Sequence, residues 1–281
     1  MNTTMEDRTL VVGIDEERPA SLRYALVEAD RLGCGVTVVH AYALPSSMPG
    51  VAYGQEVVDS FHDGAVALLA SARAYVEEFD SDVPVAYDVH VGLASDVLTK
   101  LSTSARAIIL GPDDTPWYDR LFTGSVAKAL AQNALCPVIV VPEGWDADQR
   151  GSVVVALDGD TVAHGPLRYA FDAASKRKAI LRALHIVPLA TTPRDTEIHR
   201  ATIESMIDKW ALDYPDVTAW TEVEVGEIDD RTDAATRRAA IVVVGRPHHR
   251  RLSFAASRPA AIAVIREAQC PVAVVPPNYD G

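Results

Sequence analysis

The sequence predicts an α/β protein made of two repeated, doubly wound domains, each organised around a five-stranded parallel sheet. Three observations carry this. Short apolar runs alternate with stretches of helical spacing through both halves of the chain. The segment Gly111 to Pro142, GPDDTPWYDRLFTGSVAKALAQNALCPVIVVP, returns as GRPHHRRLSFAASRPAAIAVIREAQCPVAVVP from Gly245 to Pro276. The 281 residues, 48% of them apolar, are enough for two ordinary domains with a core each.

The elements follow in order. Thr9 to Ile14 (TLVVGI) reads as a short strand ending at Asp15. Pro19 to Leu32 has amphipathic helical spacing, with Leu22, Ala25, Leu26 and Ala29 on one face, Pro19 in the first turn and Gly33 past the end. Val36 to Ala41 is the second strand, and a loop rich in Pro, Ser and Gly runs from Leu44 to Gly54. A long helical pattern from about Glu56 to Phe79 places Val66, Leu69, Ala70 and Val76 at core spacing. Val85 to His90 is the third strand, Ala94 to Ser104 a helix, and Ala107 to Leu110 the fourth strand. A polar loop, a helix opening at Gly124-Ser125 and the apolar run Pro137 to Val141 complete the first half. Parallel neighbours need crossover connections, and the helices supply them.

The second half repeats this plan. Val153 to Leu157 leads to Asp158 as the first strand leads to Asp15, and Ile180 to His185 matches Val36 to His40. Gly226 matches Gly92, Gly245 matches Gly111, and Cys270-Pro271 matches Cys136-Pro137. The second copy is shorter by about ten residues, lost between its second and third strands. The polar segment Glu143 to Gly151 is the expected boundary, giving domains at 1–143 and 151–281.

Composition excludes several classes of function. A net charge of −13 argues against nucleic acid or an anionic membrane as the main partner. No apolar run approaches the roughly 20 residues of a spanning helix, and the polar start Met1 to Arg8 carries no export signal, so a cytoplasmic location is expected. Cys34, Cys136 and Cys270 are an odd number, which disfavours a disulfide framework; Cys136 and Cys270 read as buried strand-entry residues rather than a redox pair. His40 and His185, at equivalent strand ends, read as packed, hydrogen-bonded residues. Neither half carries a Cys/His metal spacing, a nucleophile elbow or a Walker loop, so no residue pattern identifies a reaction and no enzyme is expected.

One arrangement does suggest a ligand. A glycine at the carboxyl end of a strand, followed by a Gly-Ser step opening a helix, aims unpaired N–H groups and a helix dipole into one crevice, which suits phosphate. Gly111 and Gly124-Ser125 supply that pattern.

Each half resembles a universal stress protein domain, and the chain resembles the tandem form of that family. The resemblance rests on VVGID with Asp15, VTVVHAY with His40, the turn at Gly92, Gly111 followed by Gly124-Ser125, and the final VIVVP strand. It implies a stress-response protein of adenine nucleotide alpha hydrolase-like fold, with ATP, and magnesium beside it, as the candidate ligand of the first domain. It further implies that Gly13, Asp15, Ala41, Gly111, Gly124 and Ser125 form the nucleotide site, Asp15 beside the adenosine and Ala41 along the adenine. The two domains are expected to pack as an internal pseudo-dimer along their last strands, with a further homodimer left open.

The nucleotide-binding members carry Gly, two residues, Gly, nine residues, then Gly with Ser or Thr. Here the middle glycine is Asp114, which brings bulk and negative charge where the backbone would approach a phosphate. The loop from Pro112 to Thr123 holds Asp113, Asp114 and Asp119 against Arg120, so a triphosphate calls for a divalent cation. In the second copy His248 stands at the middle position and Arg258-Pro259 replaces Gly-Ser, removing a backbone donor. The loop from Arg246 to Ser257 carries Arg246, Arg250 and Arg251 with His248 and His249, and either captures an anion through side chains or is simply solvated. Two further readings stand beside nucleotide binding: a protein-interaction member that has lost its nucleotide, and a weak nucleotide hydrolase in which Asp113 or Asp114 holds a metal or orients water.

Overall fold

The computed structural model describes residues 8–15, 19–44, 54–111, 126–147, 151–157, 164–226, 231, 236–246 and 268–281. The first half runs β1 (Leu10–Gly13), α1 (Pro19–Leu32), β2 (Val36–Tyr42), α2 (Gln55–Glu78), β3 (Val85–Val91), α3 (Ala94–Leu101), β4 (Ala107–Leu110), α4 (Val126–Asn133) and β5 (Val138–Val140). The second runs β6 (Ser152–Ala156), α5 (His164–Arg177), β7 (Leu181–Val187), α6 (Pro193–Ala211), β8 (Ala219–Val225), β9 (Ala239–Gly245) and β10 (Val272–Val275).

Local chemistry explains several boundaries. Gly33 takes φ +62° after α1, the left-handed conformation that closes a helix at little cost in glycine. Thr192 caps α6, its Oγ1 accepting the Asp195 N–H at 3.2 Å, with Pro193 in the first turn. The central strands β1, β4 and β6 are apolar on both faces because helices or further core cover both.

The strand order is β3-β2-β1-β4-β5-β10-β9-β6-β7-β8. Within each half every pairing is parallel, in the doubly wound order third-second-first-fourth-fifth. The halves meet where β5 and β10 pair antiparallel, with Val138 opposite Val274, Ile139 opposite Ala273 and Val140 opposite Val272. The two five-stranded sheets are therefore continuous as one ten-stranded sheet. Each of these last strands would otherwise be an apolar edge with unpaired N–H and C=O groups, and pairing them removes both edges at once.

One core runs unbroken along one face of that sheet, from Leu10, Leu26 and Ile109 of the first half to Phe171, Ile203 and Ile241 of the second, beneath α1, α2, α5 and α6. On the other face, Val11, Val39, Ile108 and Val138 pack against Leu98 of α3 and Leu130 of α4. Ala131 of α4 also joins the second half's core with Val154, Val242 and Val272, so α4 reaches over the seam.

Two expectations are corrected. Of the four α2 residues expected in the core, Leu69 is buried and Val76 packs at its margin, but Ala70 is exposed and Val66 is 48% exposed. The reason is position: α2 lies over β2 and the edge strand β3, so it meets only a narrow stripe of sheet. Trp145, within the polar segment after β5, is only 6% exposed. The helix expected over Ala94 to Ser104 ends at Leu101, where Ser102 turns to donate its hydroxyl to the Thr99 carbonyl at 2.6 Å.

Candidate functional site

In the first half the chain leaves β1 toward β2 and returns to place β4 on the other side of β1, so a crevice opens between the carboxyl ends of β1 and β4. Gly13 closes β1 opposite Leu110, and Gly111 follows directly in the chain. The strands beneath are buried, with Leu10, Val12, Ile108 and Ile109 fully enclosed, yet Gly13, Ala41 and Gly111 are partly accessible and Asp15 is exposed. Ala41 follows Val39 by two residues in β2 and so lies on the α3 side of the sheet, the same side as Val11 and Leu110.

Two backbone links fix this edge. The Ile14 N–H donates to the Val39 carbonyl at 3.0 Å, and the His40 ring meets the Ile14 carbonyl at 2.8 Å through Nδ1. A carbonyl only accepts, so Nδ1 carries the proton. His40 thus ties the turn leading to Asp15 onto β2. His185 does the same in the second half, its Nδ1 at 2.9 Å from the Leu157 carbonyl, one residue before Asp158. Both histidines are the packed, hydrogen-bonded residues that the sequence suggested.

Gly13 has a packing reason of its own. A Cβ built there would stand 3.0 Å from both Leu110 Cδ2 and Leu98 Cδ1, so the missing side chain lets β1 approach α3 and β4. The structure thus brings Gly13, Asp15, Ala41 and Gly111 to one end of the sheet. Gly124, Ser125, Asp113, Asp114, Asp119 and Arg120 lie outside the described residues, although α4 begins at Val126 immediately after the Gly-Ser step. Chemically, the described edge offers backbone groups, an exposed carboxylate able to accept from a hydroxyl, and small residues that admit a flat ring. Among the described residues there is no group of three or more His, Cys, Asp or Glu able to hold a metal, and no helix long and apolar enough to cross a membrane.

The equivalent edge in the second half is less completely described. Gly245 ends β9, while Asp158, His248, His249, Arg250, Arg251, Arg258 and Pro259 lie outside the described residues. Arg246 is engaged elsewhere: a guanidinium nitrogen donates to the Ala134 carbonyl of the first half, and burial lowers its pKa. One arginine of the basic loop therefore serves the seam.

The sequence pattern of the Universal stress protein family matches residues 8–142 and 150–276, once in each half. The chain belongs to that family. A universal stress protein of Mycolicibacterium smegmatis is 27% identical over 287 residues, covering 96% of this chain and 97% of that one. Another, from Mycobacterium tuberculosis, is 26% identical over 292 residues, covering 99% and 100%. The crystal structure of a universal stress protein from Archaeoglobus fulgidus superimposes with a TM-score of 0.71 at 16% identity, covering 96% of each chain, which shows the shared fold.

Sequence reasoning missed how the segment after β5 and the second half of this universal stress protein each fasten onto α1. Trp145 sits edge-on to Tyr24 with centroids 5.1 Å apart, while Arg23 lies over its ring and donates to its carbonyl. Arg177 of α5 pairs with Glu28 of α1 at 2.8 Å, both nearly sealed from solvent. A lone tryptophan in a polar stretch was the available signal, since so large an apolar side chain is seldom left in water. Nothing local marked Glu28. The three cysteines are free and buried, and burial pushes the Cys136 and Cys270 thiols up to about 12. These two precede antiparallel partners, so they stand at opposite ends of the seam, about 20 Å apart by strand rise, and form no redox pair.

Proposed function

We propose that this universal stress protein is a non-catalytic regulator that takes an adenine nucleotide, with ATP as first candidate, in the crevice of its first half. The observation that supports this reading is the gathering of Gly13, Asp15, Ala41 and Gly111, all accessible, at the carboxyl ends of β1, β2 and β4. Asp15 accepts from ribose hydroxyls and Ala41 leaves room for the base. Gly111 with Gly124 and Ser125 receives the phosphates, and a magnesium ion screens them from Asp113, Asp114 and Asp119. The second half, with Arg258-Pro259 in place of Gly-Ser, takes no nucleotide. The protein acts in the cytoplasm, with domains at 1–143 and 151–281 that form an internal pseudo-dimer through β5 and β10. That pairing leaves the outer faces free for a further homodimer.

Equilibrium dialysis of ATP, with and without magnesium, tests this on the native protein and on Asp114→Gly. Saturable binding at one site per chain supports it, and loss of binding on Asp15→Ala places the site. Removing one negative charge beside a phosphate is worth about 1 kcal/mol even at the dielectric of water, so Asp114→Gly should tighten binding by about fivefold or more. A specific residue favours a second reading. Asp114 stands where the nucleotide-binding pattern has glycine, and a nucleotide-independent interaction protein would bind ATP only as Asp114→Gly. ATP turnover by the native protein that disappears in Asp113→Ala or Asp114→Ala would instead make it a weak hydrolase.

A further inference from the structure

At the opposite end of the strands from the nucleotide crevice, a cavity of about 290 Å³ opens between α1 and α5. Leu10 and Ala107, the first residues of β1 and β4, form its floor, three residues or about 10 Å along the strands from Gly13. Its walls come from both halves of the chain, the kind of junction where ligand pockets concentrate.

Four cations line it: Arg106, Arg168, Lys176 and Arg177. The acidic residues on its walls are mostly engaged. Glu28 is held by both Arg31 and Arg177. Asp172 accepts the Tyr214 hydroxyl at 2.7 Å and forms an ion pair with Arg168 at 3.5 Å, which leaves the buried Arg168 Nε without a hydrogen bond. Asp280 is exposed at the rim. Arg106 and Lys176 have no ion-pair partner among the described residues. A half-buried guanidinium without a partner loses hydration and gains nothing in return, unless an anion meets it.

Comparing the halves sharpens this. Tyr169 and Tyr279 meet edge-on at 5.6 Å, as Tyr24 and Trp145 do at 5.1 Å, and Tyr279 follows Pro276 as Trp145 follows Pro142. In the first half the larger indole lies beneath Arg23, which donates one guanidinium N–H to the Trp145 carbonyl while its Nε, like that of Arg168, meets no hydrogen-bond partner. In the second, the smaller phenol leaves the matching Arg168 at the cavity wall, with Gly281 packed beside its guanidinium and Asp172 3.5 Å from its Nε. Arg106 has no basic counterpart, since Ala240 stands at its position in the repeat.

We propose that this cavity is a second ligand site that binds a small phosphate- or carboxylate-bearing anion between Arg106 and Arg168, clamping the two halves together. Tyr169 and Tyr279 supply an apolar wall beside the charged end. Occupancy bridges β4 of the first half to α5 of the second, so the anion stabilises the assembled chain over separated halves.

Inorganic phosphate and, in parallel, succinate are titrated into nitrogen-15-labelled full-length protein at constant ionic strength, following the arginine Nε–H signals. Saturable shifts of Arg106 and Arg168 with one probe name its chemistry, and Arg106→Gln should weaken binding at least tenfold while the Gly13 and Gly111 amides stay in place. Lys176→Gln, a change at the exposed mouth, serves as a second variant and should weaken binding severalfold. Shifts confined to Gly13 and Gly111, or no saturable shift at either arginine with both probes, overturn the proposal. ATP binding to the first-half crevice reads on different resonances, so the two proposals stand or fall separately.

Discussion

Arg177 Nη2 lies 2.8 Å from Glu28 Oε2, with side chains only 7% and 4% exposed, and the pair joins α5 of the second half to α1 of the first. Arg31 completes the ring around Glu28, and the Tyr24 hydroxyl takes a further bond from Arg177 at 3.3 Å. Burial alone would lower the pKa of Arg177, but the Glu28 carboxylate, with Tyr24 and Tyr169, raises it, so the guanidinium stays charged throughout the working range.

Breaking this pair should cost more than replacing it. Glu28→Ala leaves the buried Arg177 without its counter-charge and should lower unfolding stability by about 3–5 kcal/mol, whereas Arg177→Ala leaves Glu28 still paired with Arg31 and should cost less. Glu28→Ala combined with Arg177→Ala removes both charges and should cost clearly less than the two single losses combined. Urea unfolding of the four proteins measures this, and strictly additive losses would show that the pair is not coupled.

Trp145 is the second anchor. Its truncation to alanine removes a buried ring together with its contacts to Tyr24 and Arg23, for an expected loss of about 3–5 kcal/mol. Were residues 143–147 a solvated linker, the same change would register below about 0.5 kcal/mol. Chemical denaturation of Trp145→Ala separates these outcomes.

The seam cysteines give the protein an alkaline limit. Burial raises the Cys136 and Cys270 thiols from the ordinary thiol range to about 12. A group whose folded pKa is raised contributes stability that is complete below its unfolded pKa and is lost as pH climbs toward the folded value. Stability should therefore fall between pH 9 and about 12, and Cys136→Ala should flatten that slope. In the native state both thiols should resist alkylation at pH 8, then react fully once urea unfolds the chain.

Gly92 and Gly226 occupy equivalent turns directly after β3 and β8. Gly92 stands at φ +144°, and its N–H donates to the Tyr42 carbonyl at 2.8 Å; Gly226, at φ +159°, donates to Val187 at 3.1 Å. A side chain strains the backbone at Gly92, so Gly92→Ala should cost about 1–3 kcal/mol. Thermal or urea unfolding of that variant checks the value, and a neutral result would remove the backbone argument.

Much of the architecture could be read directly. Pro19–Leu32 and Ala107–Leu110 match the structure at both ends, because Pro19, Gly33 and the apolar run before Gly111 are local signals that act within one turn or one strand. Gly13, Asp15, Ala41 and Gly111 fall at one end of the sheet because the carboxyl ends of parallel strands share an edge, but Asp15 and Ala41 follow from the family resemblance and not from spacing. Val66 and Ala70 misled because helical spacing tells that a face is apolar, not how much sheet lies beneath it. Trp145 was hidden by its polar neighbours Glu143, Asp146 and Asp148.

The amino-acid order alone determined the alternation of strands and helices, the duplication and the place of the Gly-Ser step before α4, since each depends on residues close together in the chain. Tertiary structure alone decided that β5 and β10 would fuse two sheets into one, that Arg177 would find Glu28 across 149 residues, and that a cationic cavity would open between α1 and α5. Those outcomes turn on burying two apolar edges and two charges together, and such pairings carry no periodicity that a linear reading could follow.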